Sequence, residues 1–277
     1  MDKEEKKKKK TYLKHKIKRE NDKNLPLIPE KIYKNLNEEE DENITNEDKK
    51  IDTDIKKYSL YSKIKKKIII IIEEASLELS QTKKPKIMNG DEFLKLIKKM
   101  KKDPNDYHPE IIHQILLNIF DSPLNKVGLV KVYIHTINNI LIDINQNTRI
   151  PRTFKRFCGL FTQLLLNNEI NTFDNKENLL KVINYDKLIN IIGKNTPKIL
   201  ISNNGRLVDI DSYCENLNKN TKENQNICFI INGNSKSNID NKIKYNDDII
   251  SISSYEIPSN IIGAKICTSF ENVWEIF

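Results

Sequence analysis

The sequence predicts an α/β fold with a largely parallel sheet, and three observations carry that expectation. Short β-branched runs recur through the second two-thirds of the chain, as in Ile68-Ile69-Ile70-Ile71-Ile72 and Ile227-Cys228-Phe229-Ile230-Ile231. Stretches with apolar residues at helical spacing separate them. No unit recurs at a fixed period, which sets aside solenoids and propellers. Strands alternating with helices are the pattern of a sheet built from crossover connections.

Lys67 to Ile72 is short and β-branched, and predicts a buried strand. Phe93, Leu94, Ile97 and Met100 fall at helical spacing, as do Ile112, Ile115, Leu116 and Ile119. Leu129 to His135 and Ile140 to Ile144 read as a hairpin split by Asn138-Asn139, a turn signal. A helix is expected from Pro151, because proline is tolerated in a first turn. Its core face would be Phe154, Phe157, Phe161, Leu164 and Leu165. Strands follow at Lys198 to Ile201, Ile227 to Ile231 and Ile249 to Ile252, with a short helix at Asp209 to Leu217. A helix from Ile261 to Phe277 closes the chain.

Residues 1–60 have a different character. A lysine run, Lys6 to Lys10, precedes an acidic stretch, Glu38 to Glu42, and apolar residues are sparse and aperiodic. Such a segment buries too little surface to offset the entropy of ordering it, so a disordered tail is expected, followed by a folded domain over 61–277. The tail reads either as a nuclear or nucleolar address with loose RNA affinity or as a solvated extension.

Composition bounds the function. The chain carries 47 Lys+Arg against 39 Asp+Glu, a formal charge of +8. That balance favours polyanionic partners, although heavy use of Lys, Asn and Ile also fits an A+T-rich coding sequence. Cys158, Cys214, Cys228 and Cys267 form no C-x-x-C pair, and His15, His108, His113 and His135 no H-x-x-x-H pair. Neither a metal site nor a disulfide framework is expected. The longest apolar run is far below the roughly 20 residues that cross a bilayer. No secretory signal is visible, and a soluble intracellular protein is expected.

Three segments carry candidate chemistry. In Thr148-Arg149-Ile150-Pro151-Arg152-Thr153-Phe154-Lys155-Arg156-Phe157, three arginines gather in a lysine-rich chain. Guanidinium forks bind phosphate bidentately and stack on bases, so a grip on an RNA backbone is one reading. Arg152 and Arg156, four apart, would share a helix face; surface arginines pairing with nearby acids are the other reading. Asp121-Ser122-Pro123-Leu124-Asn125-Lys126-Val127-Gly128 looks like a turn, with Asp121 as helix stop or Asx turn, or as a carboxylate beside a reacting base. Asn232-Gly233-Asn234-Ser235-Lys236-Ser237 follows a strand, where α/β proteins bind cofactors, but it holds only one glycine.

Taken together, several strings resemble a known family: His113-Gln114, Asp121 to Lys126, Val132-Tyr133-Ile134-His135-Thr136, and above all Arg149-Ile150-Pro151-Arg152-Thr153-Phe154-Lys155-Arg156-Phe157. Ala75-Ser76-Leu77-Glu78, Leu179 to Ile183, Ser251 to Tyr255 and Val273-Trp274 extend the likeness over roughly residues 63–277. These strings closely resemble the pseudouridine-N1-specific small-subunit rRNA methyltransferases of eukaryotes and archaea, members of the SPOUT class. The resemblance implies a mostly parallel sheet flanked by helices, with a C-terminal trefoil knot that holds S-adenosylmethionine. It implies a homodimer that binds an rRNA hairpin, pre-ribosomal assembly factors as partners, a nucleolar location, and neither metal nor membrane. It places RNA contacts at Arg149, Arg152 and Arg156, and at His108, where the family has an arginine. It places the cofactor at Leu200, Asn232, Gly233, Ser237 and the loop Ile252, Ser253, Ser254, Tyr255, Glu256 and Ile257. The expected reaction is methyl transfer to N1 of a pseudouridine, with Asp121 orienting the base or accepting its proton. The chain departs from the family's glycine-rich loop at Asn232 and Ser237, and has Glu256 where the family has proline. The competing expectation is therefore an rRNA-binding assembly factor with weakened or lost catalysis.

Overall fold

The computed structural model describes Tyr61 and residues 64–173, 177–234 and 239–277. The tail expected over 1–60 lies outside the described residues. The chain divides into two units, Met1–Lys65 and Lys66–Phe277, and the second carries the elements below.

An eight-stranded sheet organises this unit. In chain order the elements are β1 (Ile68–Ala75), α1 (Leu94–Lys99), α2 (Pro109–Asp121), α3 (Pro123–Lys126), β2 (Val130–Thr136), β3 (Leu141–Ile144), α4 (Phe154–Asn167) and β4 (Glu169–Asn171). Then follow β5 (Asn178–Ile183), α5 (Leu188–Ile192), β6 (Lys198–Leu207), α6 (Ile210–Asn220), β7 (Ile227–Asn232), β8 (Asp248–Ser251) and α7 (Ser259–Val273). The sheet order is β4-β5-β3-β2-β1-β7-β6-β8. The pairs β1–β2, β1–β7, β6–β7 and β6–β8 are parallel. The hairpin β2–β3 and strands β5 and β4 add an antiparallel flank.

β1 lies mid-sheet with helices on both faces, which explains its unbroken isoleucine run. Ile68 to Ile72 are at most 3% exposed. Ile69 and Ile71 pack with Leu188, Ile192, Leu200, Ile230, Ile239 and Ile243 on one face. α2 and α7 belong to the other, where Phe229 of β7 meets Phe270 of α7 edge-on at 5.9 Å. Between β1 and α2 a small lobe closes on its own apolar cluster of Met88, Ile97 and Tyr107.

Several elements differ from the sequence expectation. α4 begins at Phe154, three residues after Pro151, because the Pro151 carbonyl is taken by His113 and Thr153 is the extended residue before the helix. α7 ends at Val273, since Glu275 takes a left-handed φ of 52° that stops the helix. β6 runs on to Leu207 through an irregularity between Ile201 and Arg206. Strands β4 and β5 and helix α5 were not legible as elements, being short and only partly apolar.

A polar network lies under the carboxyl ends of β1 and β2. The Glu73 side chain is 1% exposed. Its Oε2 accepts from His135 Nδ1 at 2.5 Å, and its Oε1 accepts from the Tyr245 hydroxyl at 2.6 Å. The His135 ring stacks on Tyr185, with centroids 3.9 Å apart and planes 12° apart. Burial by itself lowers the pKa of His135, but the hydrogen bond and charge of Glu73 outweigh it and hold the value above the ordinary one. A raised folded-state pKa contributes stability that is fully present below the unfolded value, about 6.5, and is lost as pH rises through the folded value. Urea unfolding of the wild type and His135→Gln should therefore give a stability difference that shrinks steadily as pH is raised from about 6 to 9. A difference that stays flat over that range would rule out the imidazolium–carboxylate pair.

Candidate functional site

The arginine segment connects β3 to α4 and is fixed from inside. Thr148 is buried, and its hydroxyl donates to the Leu179 carbonyl at 2.8 Å. Ile150 is buried, and the Pro151 carbonyl lies 2.7 Å from His113 Nε2. A carbonyl only accepts, so Nε2 carries the proton. His113 itself is buried against Phe157, with ring centroids 4.6 Å apart. The anchors are apolar side chains and uncharged hydrogen bonds to backbone carbonyls, and the three arginines face solvent: Arg149, Arg152 and Arg156 are all exposed. The expected helix face shared by Arg152 and Arg156 is not formed, because Arg152 precedes the helix. Arg152 instead folds back on Asp121, where Nη2 meets Oδ1 at 3.0 Å and Nη1 meets Oδ2. The side chains are 72% and 42% exposed, so the pair is screened by water and readily exchanged. Among the described residues, Arg149 and Arg156 form no ion pair.

Asp121 is the last residue of α2. The turn chemistry expected of it is supplied by Ser122, whose hydroxyl donates to the Ile119 carbonyl and accepts from the Asn125 N–H, capping α3. The Asp121 carboxylate is thereby left for Arg152. His108 stands at the other end of α2, roughly 20 Å away by helical rise. Its Nδ1 is 2.6 Å from Glu110 Oε1. Of the four side chains expected to touch RNA, His108 and Arg152 therefore stand at opposite ends of α2.

Of the expected cofactor residues, Asn232, Gly233 and the loop Ile252 to Ile257 lie at the carboxyl ends of the parallel strands β7 and β8. Asn232 ends β7, and its Oδ1 accepts from the Asn234 N–H at 2.9 Å, an Asx turn. Gly233 is required by close approach: a Cβ there would lie 2.8 Å from the Glu73 carbonyl oxygen, 2.8 Å from Ile112 Cδ1 and 2.9 Å from Ile72 Cγ2. Ser237 lies outside the described residues. After β8 the chain leaves the sheet through Ile252, Ser253, Ser254, Tyr255, Glu256 and Ile257, and the Ser253 hydroxyl accepts from the Tyr255 N–H at 3.0 Å. Ser254, Tyr255 and Glu256 are exposed, while Ile252, Ser253 and Ile257 are half-buried. Leu200 is fully buried between β7 and β8 and belongs to the core beneath these loops.

One element joins the two halves of the site. Along α2, Ile112 supports Gly233 and His113 holds Pro151. Asn118 donates to the Asn260 carbonyl at 3.0 Å in the first turn of α7, and Asp121 pairs with Arg152. Ile119 packs on Gly263, where a Cβ would meet its side chain at 3.3 Å.

Sequence reasoning missed the Glu73 network and the surface above it. A cleft of about 520 Å³ opens at the ends of β1 and β2, lined among others by Glu74, Ser76, Tyr107, Asn138, Asn234 and Lys242. The available signal was the pair Glu73-Glu74 closing an isoleucine run, since a buried strand does not end on a buried acid without partners. Burial pushes the Cys158 thiol up to about 11 and the Cys267 thiol to about 12, so neither offers a thiolate at neutral pH. Among the described residues no group of three His, Cys, Asp or Glu is placed to hold a metal ion, and no helix is long and apolar enough to cross a membrane.

Comparison with known proteins bears on this geometry. A family model described as EMG1/NEP1 methyltransferase matches residues 70–271. The mouse ribosomal RNA small subunit methyltransferase NEP1 is 35% identical over 214 residues, covering 76% of this chain and 83% of the mouse protein. The Drosophila melanogaster protein of that name is 33% identical over 238 residues, covering 83% and 92%. The crystal structure of Archaeoglobus fulgidus Nep1 bound to S-adenosylhomocysteine superposes with a TM-score of 0.56 at 21% identity, covering 75% of this chain and 98% of that one. The matched span takes in the parallel strands, both loops at their carboxyl ends, α2 and the arginine segment, and the chain belongs to the EMG1/NEP1 methyltransferase family.

Proposed function

We propose that this protein transfers a methyl group from S-adenosylmethionine to N1 of a pseudouridine in a hairpin of small-subunit ribosomal RNA. The observation that carries the reading is the attachment to one helix, α2, of the loop after β7, of the first turn of α7, into which the second loop leads, and of the arginine segment. Relatives named as small-subunit rRNA methyltransferases and the S-adenosylhomocysteine-bound archaeal neighbour support it.

The residues at the strand ends fit such a donor. Tyr255 offers an exposed aromatic face, Ser253 and Ser254 offer hydroxyls, and Glu256 offers an exposed carboxylate able to accept from ribose or ammonium groups. When bound, the sulfonium supplies an electrophilic methyl carbon. The protein's task is then to hold N1 in line with that carbon and to exclude water. Arg149 and Arg156 present free guanidinium forks to the phosphates flanking the target, which fixes the register of the RNA. The target base leaves its stack to reach the donor. Asp121 is the carboxylate that pairs with the arginine segment: phosphate competes for Arg152, and the freed Asp121 carboxylate orients the base or takes the N1 proton.

The reading extends to a homodimer, a nucleolar location and pre-ribosomal partners. The exposed Leu207 lies opposite Ser251 at the end of β8, the exposed Tyr255 and Ile261 follow β8 in the chain, and these side chains offer apolar surface for a second copy. Sedimentation equilibrium at micromolar protein should give twice the monomer mass, and a monomer there removes the dimer from the proposal.

The test of function is a methylation assay with purified protein, S-adenosylmethionine and a short hairpin containing one pseudouridine, read by nucleoside mass spectrometry. N1-methylpseudouridine, absent when uridine replaces pseudouridine, is the expected product. Tight hairpin binding without product would favour the assembly-factor reading, to which the single glycine of the loop from Asn232 points.

Asp121→Asn should lower single-turnover methylation by about a hundredfold, the scale of general acid–base catalysis, while hairpin affinity changes less than about threefold. Normal turnover in that variant would leave Asp121 only its ion pair with Arg152. Replacing Arg149 or Arg156 by alanine should weaken hairpin binding and reduce the slope of log affinity against log salt by about 0.7 to 0.9 for each phosphate that is no longer neutralised. An unchanged slope would mean that the guanidinium groups do not reach phosphate.

A further inference from the structure

Glu73 is joined to the methyl-donor region by its backbone as well as by its side chain. In the β1–β7 register it stands opposite Asn232, and its carbonyl accepts from the Gly233 N–H at 2.6 Å. Its carboxylate accepts from Tyr245 at 2.6 Å and from His135 at 2.5 Å. Tyr245 lies on the return segment between the Asn232 loop and β8, and β8 leads directly into the loop Ile252 to Ile257. One residue therefore fixes where the first loop leaves the sheet and where the chain comes back for the second.

The return segment depends on few other anchors. Ile239 and Ile243 bury their side chains in the core face shared with Ile69 and Ile71. Lys242 pairs with Glu74, which sits at a left-handed φ of 58° directly after Glu73. Asp247 pairs with the Lys198 backbone N–H at 2.8 Å at the start of β6. The Lys242–Glu74 pair and the Glu73–Tyr245 bond both tie the return segment to β1, and of these two acids Glu73 is the one whose carbonyl also holds the Gly233 N–H of the first loop. A carboxylate at 1% exposure costs stability unless both oxygens are satisfied. A leucine or valine at the end of β1 would fill the same space without that cost, so the acid has a use beyond packing.

We infer that Glu73 is a positioning residue for methyl-donor binding, acting through Tyr245 and the Gly233 N–H to set the spacing of the two loops. The inference rests on the proposed donor site at those loops. Glu73 itself does not touch the donor; it holds the backbone that does. His135, stacked on Tyr185 and bonded through Nε2 to Asn139 Oδ1 at 2.9 Å, holds the other carboxylate oxygen and keeps Oε1 turned towards Tyr245.

Tyr245→Phe is the cleanest test, since it deletes one hydroxyl and keeps the ring that packs against the core; Glu73→Gln is the second variant. In Glu73→Gln one carboxylate oxygen becomes an NH₂ donor and the negative charge is removed, so one partner has to turn acceptor and both bonds lose their charge assistance. Binding of S-adenosylhomocysteine is measured by calorimetry, alongside KM for S-adenosylmethionine, kcat at saturating donor, hairpin affinity and Tm. The expected result is an increase of about tenfold in Kd and KM for both variants, the scale of one hydrogen bond to a charged group, with kcat and hairpin affinity within about twofold of wild type. A role in packing alone would lower Tm and leave donor KM unchanged, and that outcome overturns the inference. Should Glu73→Gln fail to fold, Tyr245→Phe decides alone. A wild type that does not bind S-adenosylhomocysteine overturns the donor-site reading and this inference with it. A wild type that binds, with variants that bind equally well, overturns the inference only.

Discussion

The contact that the rest of the site depends on is the close approach of Gly233 to β1 and α2. Its N–H bonds the Glu73 carbonyl at 2.6 Å, and the place of a Cβ is filled by Ile72, Ile112 and that carbonyl. Nothing larger than glycine fits without moving backbone. Because Ile112 belongs to α2, this approach fixes the height of α2 relative to the parallel strands. Everything further along the helix is placed as a consequence: His113 on Pro151, Asn118 on Asn260, Ile119 on Gly263 and Asp121 on Arg152. A single rigid helix of 13 residues thus sets the distance between the strand-end loops and the arginines. Sites built on such elements hold their geometry better than sites built on loops alone.

The two halves of the site follow opposite electrostatic rules. Around the arginine segment the fixed parts are apolar side chains and the hydrogen bonds of Thr148 and His113 to backbone carbonyls, and the charges face solvent, where the Asp121–Arg152 pair is screened and exchangeable. Beneath the strand ends the charge is buried and fully bonded, with Glu73 satisfied on both oxygens. Exposed guanidinium groups suit a partner that arrives from water and displaces counterions. A buried bonded carboxylate suits a part of the protein that must not move when the partner arrives.

How much was legible varied with the range of the interactions involved. The central strands β1, β2 and β7 were read from β-branched runs, because strands buried on both faces must be apolar throughout. The core face of α4 was read from Phe157, Phe161 and Leu164, all fully buried. Its start was misplaced by three residues: Pro151 looks like a first helical turn until His113, distant in sequence, takes its carbonyl. Likewise, arginines four apart predict a shared face only if both are helical, and Arg152 is not. β4 and β5 escaped notice because Glu169, Asn178 and Lys181 interrupt their apolar pattern on a half-exposed flank. His135 passed as one histidine without a metal partner, since its carboxylate is 62 residues away in sequence.

The sequence by itself determined the α/β class, the central strands, the arginine segment as the candidate RNA grip and the family to which the chain belongs. Periodicity and short strings carry these, because each depends on residues that are neighbours along the chain. The tertiary structure alone decided that Asp121 answers to Arg152, that Ser122 does the capping, that Gly233 is held by packing, and that Glu73, His135 and Tyr245 form one buried unit. Those facts arise where segments far apart in the chain are brought within hydrogen-bonding distance, and no local pattern encodes which of several acids, histidines and tyrosines will meet.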